Sequence, residues 1–291
     1  MKGIVLAGGT GSRLWPITLV TSKQLLPVFN KPMIYYPIST LMLAGIQDIL
    51  IITTPQDQQN FRELLGDGSN LGVSFTYAVQ TKPEGLAQAF IIGENFLQGD
   101  SVLMILGDNI FYGVGLGQDI RRAIPQSGSH IFTYEVADPS QYGILYFDNN
   151  GKAIAIKEKP SSSDSNKAVT GLYFFDSNVA EIAKTISPSK RGELEITSVI
   201  EVYLERQELS VTQLSRGTAW LDTGQVDSLH DASSFIRVIE ERTGLKVACL
   251  EEIALTMNLI SIEEFSLASE KYGNSEYGKY LKNIKKRMMK N

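Results

Sequence analysis

An apolar run, Ile4-Val5-Leu6-Ala7, passes without a break into Gly8-Gly9-Thr10-Gly11-Ser12-Arg13-Leu14. No other stretch restricts the chain so strongly. Four apolar residues bounded by a turn signal read as a buried strand. The glycines beyond it tolerate positive φ and let a backbone approach a ligand closely. Successive N–H groups exposed in such a turn form a concavity suited to an anion. The turn closes on an arginine, and Ser22-Lys23-Gln24 follows soon after. A strand that empties into an anion cradle, with two cations aimed at it, predicts a polyphosphate grip.

The rest of the first half repeats the strand-then-turn pattern. Strands are expected at 4–7, 48–53, 73–79 and 101–106, and helices at 33–44, 56–65 and 85–96. Pro37 falls inside the first of these helices and is expected to kink it or break a turn. Strands separated by helices imply a parallel sheet covered on both faces. In such sheets ligands sit beyond the carboxyl ends of the strands. Gly8, Thr54, Gln80 and Asp108 each come just past a strand end, so one site could gather all four.

The middle changes character. Short strands at 131–136, 143–147 and 153–158 are joined by turn residues such as Asp148-Asn149-Asn150-Gly151, a hairpin signal. A serine-rich loop at 161–166 leads to a strand at 169–175 that Gly171 interrupts. Helices at 177–184 and 195–206, strands at 209–214 and 219–221, and a long helix at 227–242 complete this part. Beyond about 245 the chain reads as short helices. The last, 276–290, is strongly basic, either as a solvated face or as a contact with a partner subunit.

Composition narrows the partners. A net charge of −5 over 291 residues argues against a general nucleic-acid grip, which needs a basic footprint. Nucleotides are not excluded, because their charge is met locally. The single cysteine, Cys249, allows no intrachain disulfide and suits a reducing cytosol. Its simplest reading is a small buried hydrophobe. Met1-Lys2 enters a strand directly, with no leader pattern. No apolar run approaches the roughly 20 residues of a membrane span. No membrane partner and a cytoplasmic location are expected.

The glycine turn is not the mononucleotide P-loop, which needs four residues between its glycines and then Gly-Lys-Ser/Thr. Nor is it the dinucleotide fingerprint, since Arg13 and Leu14 stand where a third glycine would be. Arg13 offers a planar fork of donors that matches phosphate oxygens; its plainer reading is a surface ion pair. Lys23 would be a point charge for a second phosphate. Asp108, in Leu106-Gly107-Asp108-Asn109, and Asp222, in Trp220-Leu221-Asp222-Thr223-Gly224, each follow a strand. Magnesium prefers one or two carboxylates plus substrate phosphates, so these are the metal candidates. The alternatives are a helix cap for Asp222 and a turn residue for Asp108. In Glu158-Lys159-Pro160, the lysine could neutralise a sugar phosphate and the glutamate could bond a sugar hydroxyl. Gln80 has the donors and acceptors to read a base edge. His130 and His230 have no Ser, Cys or metal-spaced partner, which argues against triads and zinc sites.

Leu6-Ala7-Gly8-Gly9-Thr10-Gly11-Ser12-Arg13-Leu14 and Ser22-Lys23-Gln24-Leu25-Leu26-Pro27 resemble the signature of sugar-1-phosphate nucleotidyltransferases. Further runs point the same way: Lys31-Pro32-Met33-Ile34-Tyr35-Tyr36-Pro37, Gly85-Leu86-Ala87-Gln88-Ala89, Ala168-Val169-Thr170-Gly171-Leu172-Tyr173 and Arg191-Gly192-Glu193-Leu194-Glu195-Ile196-Thr197. With Leu106 to Asn109, Glu158 to Pro160 and Ala219 to Gly224, they narrow the resemblance to the branch that joins dTTP to glucose 1-phosphate. That branch opens the dTDP-L-rhamnose route. Arg13-Leu14-Trp15-Pro16 is instead similar to mannose-1-phosphate guanylyltransferases. The match spans about the first 250 residues.

The resemblance implies a Rossmann-like α/β fold with a mostly parallel sheet, inserted short strands and a small helical C-terminal region. It implies a nucleotidyltransferase domain at 1–244, with a nucleotide half at about 1–125 and a sugar-phosphate half at about 126–244, and an appendage at 245–291. It implies Mg2+, dTTP and glucose 1-phosphate as substrates, and a homotetramer. By position it puts Gly8, Gly9, Thr10, Gly11, Ser12, Arg13, Lys23, Gln24, Gln80, Gly85 and Asp108 on the nucleotide. Asn109, Tyr142, Gly143, Glu158, Lys159, Val169, Tyr173, Arg191 and Trp220 fall around the sugar phosphate, and Asp108 and Asp222 on the metal. Arg13, Lys23, Asp108 and Lys159 take the catalytic roles. The family also has a regulatory site for dTDP-rhamnose at a subunit interface. Gly113-Val114-Gly115-Leu116-Gly117 aligns there without the expected basic side chain, which leaves Gly113 and Arg216 as the regulatory candidates. A UTP- or GTP-using relative, and a non-catalytic nucleotide-sensing subunit, are the competing readings.

Overall fold

The computed structural model describes residues 1–288. The last two residues of the basic helix expected at 276–290 lie outside them. In chain order the strands are β1 (Lys2–Ala7), β2 (Pro27–Val28), β3 (Lys31–Pro32), β4 (Asp48–Thr53), β5 (Ser74–Val79), β6 (Val102–Leu106), β7 (Asn109–Tyr112), β8 (Ser129–Glu135), β9 (Gly143–Phe147), β10 (Ala153–Glu158), β11 (Lys167–Phe175), β12 (Leu209–Gln213) and β13 (Ala219–Asp222). Nine of them form one sheet in the order β10-β9-β11-β6-β1-β4-β5, with β8 paired to β11 and β12 to β8.

β6, β1, β4 and β5 run parallel, as expected from the helices between them. β1 shows why its sequence is an unbroken apolar run. Val5 and Ala7 pack on one face with Ile51, Ile105 and the helix Tyr35–Leu43. Ile4 and Leu6 pack on the other with Ile52, Met104, Phe90 and Ile200. Alternate residues point to opposite faces, so a strand covered twice cannot alternate in polarity. The sheet changes sense at β11, which is antiparallel to β6, β8 and β9. β9 and β10 are joined by a short turn rather than a helix, which permits only an antiparallel pair.

Three expectations are corrected. Pro37 does not kink its helix. The helix begins at Tyr35, not Met33, so Pro37 lies in the first turn, where its missing N–H has no intrahelical acceptor to lose. The helix expected at 85–96 starts only at Gln88 and is divided at Gly93 into Gln88–Ile92 and Glu94–Leu97. Gly85, at φ +116, cannot belong to it. The glycine-rich stretch at 113–117 opens an unforeseen helix, Leu116–Ala123, whose N-cap Gly115 has φ 73.

The C-terminal helices Leu250–Thr256, Ile262–Glu270 and Glu276–Met288 contribute Leu250, Ile253, Phe265, Leu281 and Ile284 to the core cluster that holds Val5 and Ile51. Cys249 is 1% exposed there, and burial, with the Glu251 carboxylate next in weight, pushes its thiol up to about 12.

Candidate active site

The glycine turn forms because its backbone needs conformations that side chains resist. Gly9 has φ +106 and Gly11 φ +59. A Cβ on Gly8 would collide with the Gln80 amide oxygen. Gly11 then caps a short 3-10 turn, Ser12–Leu14, in which buried Leu14 anchors the loop and Arg13 faces out. Thr18 Oγ1 donates to the Gly11 carbonyl at 2.7 Å and closes the loop. Gly8 to Arg13 line a cleft of about 430 Å³, together with Lys23, Gln80, Gly85, Asp108, Lys159 and Asp222. Among the described residues the Arg13 guanidinium makes no ion pair. Its Nη1 would lie 3.6 Å from a Cβ built on Gly224.

Asp108 and Asp222 reach the cleft on one small structure. β7 and β13 pair antiparallel, with Asp222 opposite Asn109. Thr223 locks the corner, donating to the Asp108 carbonyl from its N (3.1 Å) and its Oγ1 (2.7 Å). Asp222 is not a helix cap. The next helix, Val226–Thr243, is capped by Gln225, and Asp222 accepts instead from the Gly224 N–H at 3.0 Å. The two carboxyls differ in electrostatics. Burial and then the Asp108 charge push Asp222 up to about 6. Burial would also raise Asp108, but the Lys23 ammonium paired with it and the Asn109 amide together hold it below the usual carboxylate range. Two carboxylates that repel each other at strand ends, with open cleft on one side, suit a divalent cation that completes its shell with phosphates and water. Among the described residues no group of three or more His, Cys, Asp or Glu forms a closed cage. The donor set is that of an open divalent-cation site.

Asn109 is held from both ends. Its Nδ2 donates to Asp108 Oδ1 at 2.9 Å, and its Oδ1 accepts from Trp220 Nε1 at 2.5 Å. The expected interruption at Gly171 is not present: β11 runs unbroken from Lys167 to Phe175, and glycine is needed there because a Cβ would come within 2.5 Å of Asn109 Oδ1. Trp220 in turn packs on Tyr142, with ring centroids 5.1 Å apart.

The far wall is built from paired charges. Lys159 has φ +41, a left-handed backbone uncommon outside glycine, and its N–H donates to the Tyr142 carbonyl at 3.0 Å. Strain of this kind collects at functional sites. Lys159 Nζ lies 3.9 Å from Glu158 Oε1. Arg191 Nη2 donates to both Glu195 oxygens at 2.9 Å and to Glu158 Oε1 at 3.3 Å. Burial, and then Glu195, raise the Glu158 carboxyl. Gly143, Val169 and Tyr173 line the same wall, and burial raises the Tyr173 phenol.

The structure does not bring every expected residue to the cleft. Gln24 is 1% exposed, beneath the cleft, accepting from Ser22 Oγ at 2.6 Å. Thr54 instead bonds Asp57 at 2.6 Å. Gly113 and Arg216 lie outside the cleft, and Gly113 abuts Thr218. Glu195, Thr197, Gly171 and Gly224 line it and were not singled out.

The chain belongs to the nucleotidyl transferase family, whose model matches residues 2–238. It is 55% identical over 281 residues to the glucose-1-phosphate thymidylyltransferase of Mycolicibacterium smegmatis, covering 97% of this chain and 98% of that one. It is 52% identical to the glucose-1-phosphate thymidylyltransferase of Neisseria meningitidis, over 99% of this chain and 100% of the other. Among solved structures, a protein described as a glucose-1-phosphate thymidylyltransferase from Bacillus anthracis, in complex with a sucrose, matches with a TM-score of 0.75 and 43% identity. That match covers 81% of this chain and 95% of the other. A UDP-glucose pyrophosphorylase complexed with UDP-glucose matches with a TM-score of 0.72 and 26% identity, over 82% and 98% of the two chains.

Proposed function

We propose that this chain transfers dTMP from dTTP to α-D-glucose 1-phosphate, forming dTDP-glucose and pyrophosphate. The observation that carries the reading is the meeting, in one cleft, of an arginine on a glycine turn with no ion pair among the described residues, two aspartates placed by one strand pair, and a strained Lys159. The full-length similarity to thymidylyltransferases supports the choice of nucleotide and sugar.

A phosphate oxygen of glucose 1-phosphate attacks the α-phosphorus of dTTP. The new P–O bond forms as the bond to the bridging oxygen breaks, and that electron pair leaves on pyrophosphate. The nucleophile is already an anion, so no side chain needs to take a proton. The chain's task is to hold two polyanions in line. The glycine turn lets the triphosphate approach backbone N–H groups, and Arg13 meets charge growing on the departing pyrophosphate. Lys23 serves the triphosphate, and Lys159 fixes the attacking phosphate. Asp108 and Asp222 would hold Mg2+, which neutralises charge at the α-phosphate when bound. On the family resemblance, the enzyme acts as a homotetramer in the cytoplasm at the head of the dTDP-L-rhamnose route. The C-terminal helices form an appendage to the two-half catalytic domain.

The test is pyrophosphate release with glucose 1-phosphate, Mg2+ and each of dTTP, UTP and GTP. The fastest release is expected with dTTP. A clear preference for UTP or GTP would transfer the chain to a sister activity. Tight nucleotide binding without turnover of any sugar phosphate would make it a sensing subunit.

A further inference from the structure

The polarity of the base-reading amide is set outside the cleft. Gln80 is 5% exposed and its N–H donates to the Thr53 carbonyl at 2.8 Å, which fixes its backbone at the end of β5. Its side-chain nitrogen is fully committed. Nε2 donates to Gln88 Oε1 at 2.6 Å and to the Gly85 carbonyl at 3.4 Å. An amide nitrogen has two hydrogens, so no donor is left for a ligand. The amide oxygen points the other way, into the space a Cβ on Gly8 would occupy, where the glycine turn lines the cleft.

Gln88 does not choose its own orientation. Its Nε2 donates to Glu84 Oε2 at 2.7 Å, and its Oε1 also accepts from the Glu84 backbone N–H at 3.3 Å. A carboxylate can only accept and a backbone N–H can only donate. One residue, Glu84, therefore reads both ends of the Gln88 amide, and Gln88 passes that polarity to Gln80.

We infer that Glu84 and Gln88 are positioning residues that make Gln80 an acceptor-only reader, selecting a base with a ring N–H at its pairing edge: the imide of thymine or uracil. Cytosine presents a bare ring nitrogen at that position and would set two acceptors against each other. The inference rests on the proposed nucleotidyl transfer, and it names residues that touch no substrate. A buried acceptor left facing another acceptor forfeits its hydrogen bond and keeps its desolvation cost, the basis of strong rejection by polar sites.

The test compares two substitutions of Gln88, using the ratio of kcat/KM for dTTP to that for dCTP. The two nucleotides carry identical sugar and phosphates, so any change in the charge of the cleft cancels in the ratio. Gln88→Glu, made together with Glu84→Gln so that an amide replaces the carboxylate facing it, offers Gln80 only an acceptor and should keep the preference for dTTP. Gln88→Lys offers only donors, turns the Gln80 amide round, and should lower the ratio by about tenfold or more. Thermal denaturation checks that both variants are folded. An unchanged ratio in Gln88→Lys, or an equal fall in both variants, would overturn the inference. A wild-type protein that turns over neither nucleotide would instead count against the proposed activity itself, so the two failures are distinguishable.

Discussion

The two walls of the cleft handle anions by different means. The nucleotide wall is mostly backbone. Glycines at positive φ open it, and its one arginine makes no ion pair among the described residues. The opposite wall is mostly side chains, and its charges are already matched, Lys159 with Glu158 and Arg191 with Glu158 and Glu195. Arg13 is ready for a highly charged ligand and has no ion-pair partner to lose among the described residues, whereas Lys23 would have to share its charge with Asp108. A pre-matched set must exchange partners, which costs affinity but lets hydroxyls and phosphate be distinguished. Between the walls, Asp108 and Asp222 belong to neither, because the β7–β13 pair positions both, Asp222 at the end of β13 and Asp108 just ahead of β7.

The largest effects should come from groups that nothing else can replace. Asp108→Asn and Arg13→Ala are each expected to lower turnover by about a hundredfold or more, the scale of losing one preorganised electrostatic contact. Pyrophosphate release near the wild-type rate in Arg13→Ala would break the contrast between the walls, and in Asp108→Asn it would overturn the metal corner between them. Lys159→Ala should be milder, about tenfold and mainly in the KM for glucose 1-phosphate, because Arg191 remains on that wall and one charged hydrogen bond is lost. Initial rates with the sugar phosphate varied measure this.

The nucleotide wall was the more legible in the sequence, for a physical reason. It consists of strand ends and punctuation that are local in the chain, so Gly8, Gln80 and Asp108 could be placed past strands from pattern alone. The metal corner was half legible. Each aspartate was visible after its strand, but β7 is only four residues long, and it pairs across more than a hundred residues with β13. Periodicity carries no information on such a pairing. Gln24 shows the reverse error. It adjoins Lys23 in a conspicuous run, yet the short 3-10 turn Lys23–Leu25 sends the two side chains to opposite sides, one to the cleft and one beneath it. Glu195 gave no signal of this kind: Arg191 and Glu195 meet in the loop ahead of the helix Ile196–Glu205, where helical spacing does not apply.

The smallest expected effect separates the fold from the site. His130, on β8 and outside the cleft, is 3% exposed. Its Nδ1 lies 2.7 Å from Ser210 Oγ, while its Nε2 has no partner among the described residues. Burial lowers its pKa to about 4. The unfolded chain takes up the proton near pH 6.5 and the folded one does not, so stability is highest above pH 6.5 and falls as the pH drops toward 4. His130 alone should cost about 2 kcal/mol between pH 7 and pH 5, against the opposite and smaller effect of Asp222, whose raised pKa favours the folded state as the pH falls. Denaturant titrations at the two pH values measure it, and His130→Phe should flatten the difference while leaving the dTTP and glucose 1-phosphate KM values as they are.

The central claim, that one wall holds the nucleotide and the other the sugar phosphate, is tested most directly by crossed kinetics on Arg13→Ala and Lys159→Ala, varying each substrate at saturation of the other. The account predicts that the Arg13 variant loses kcat for dTDP-glucose formation with little change in the KM for glucose 1-phosphate. The Lys159 variant should raise that KM with little change in the KM for dTTP. If both variants shifted both constants alike, the two walls would act as a single undivided site, and the account would be contradicted.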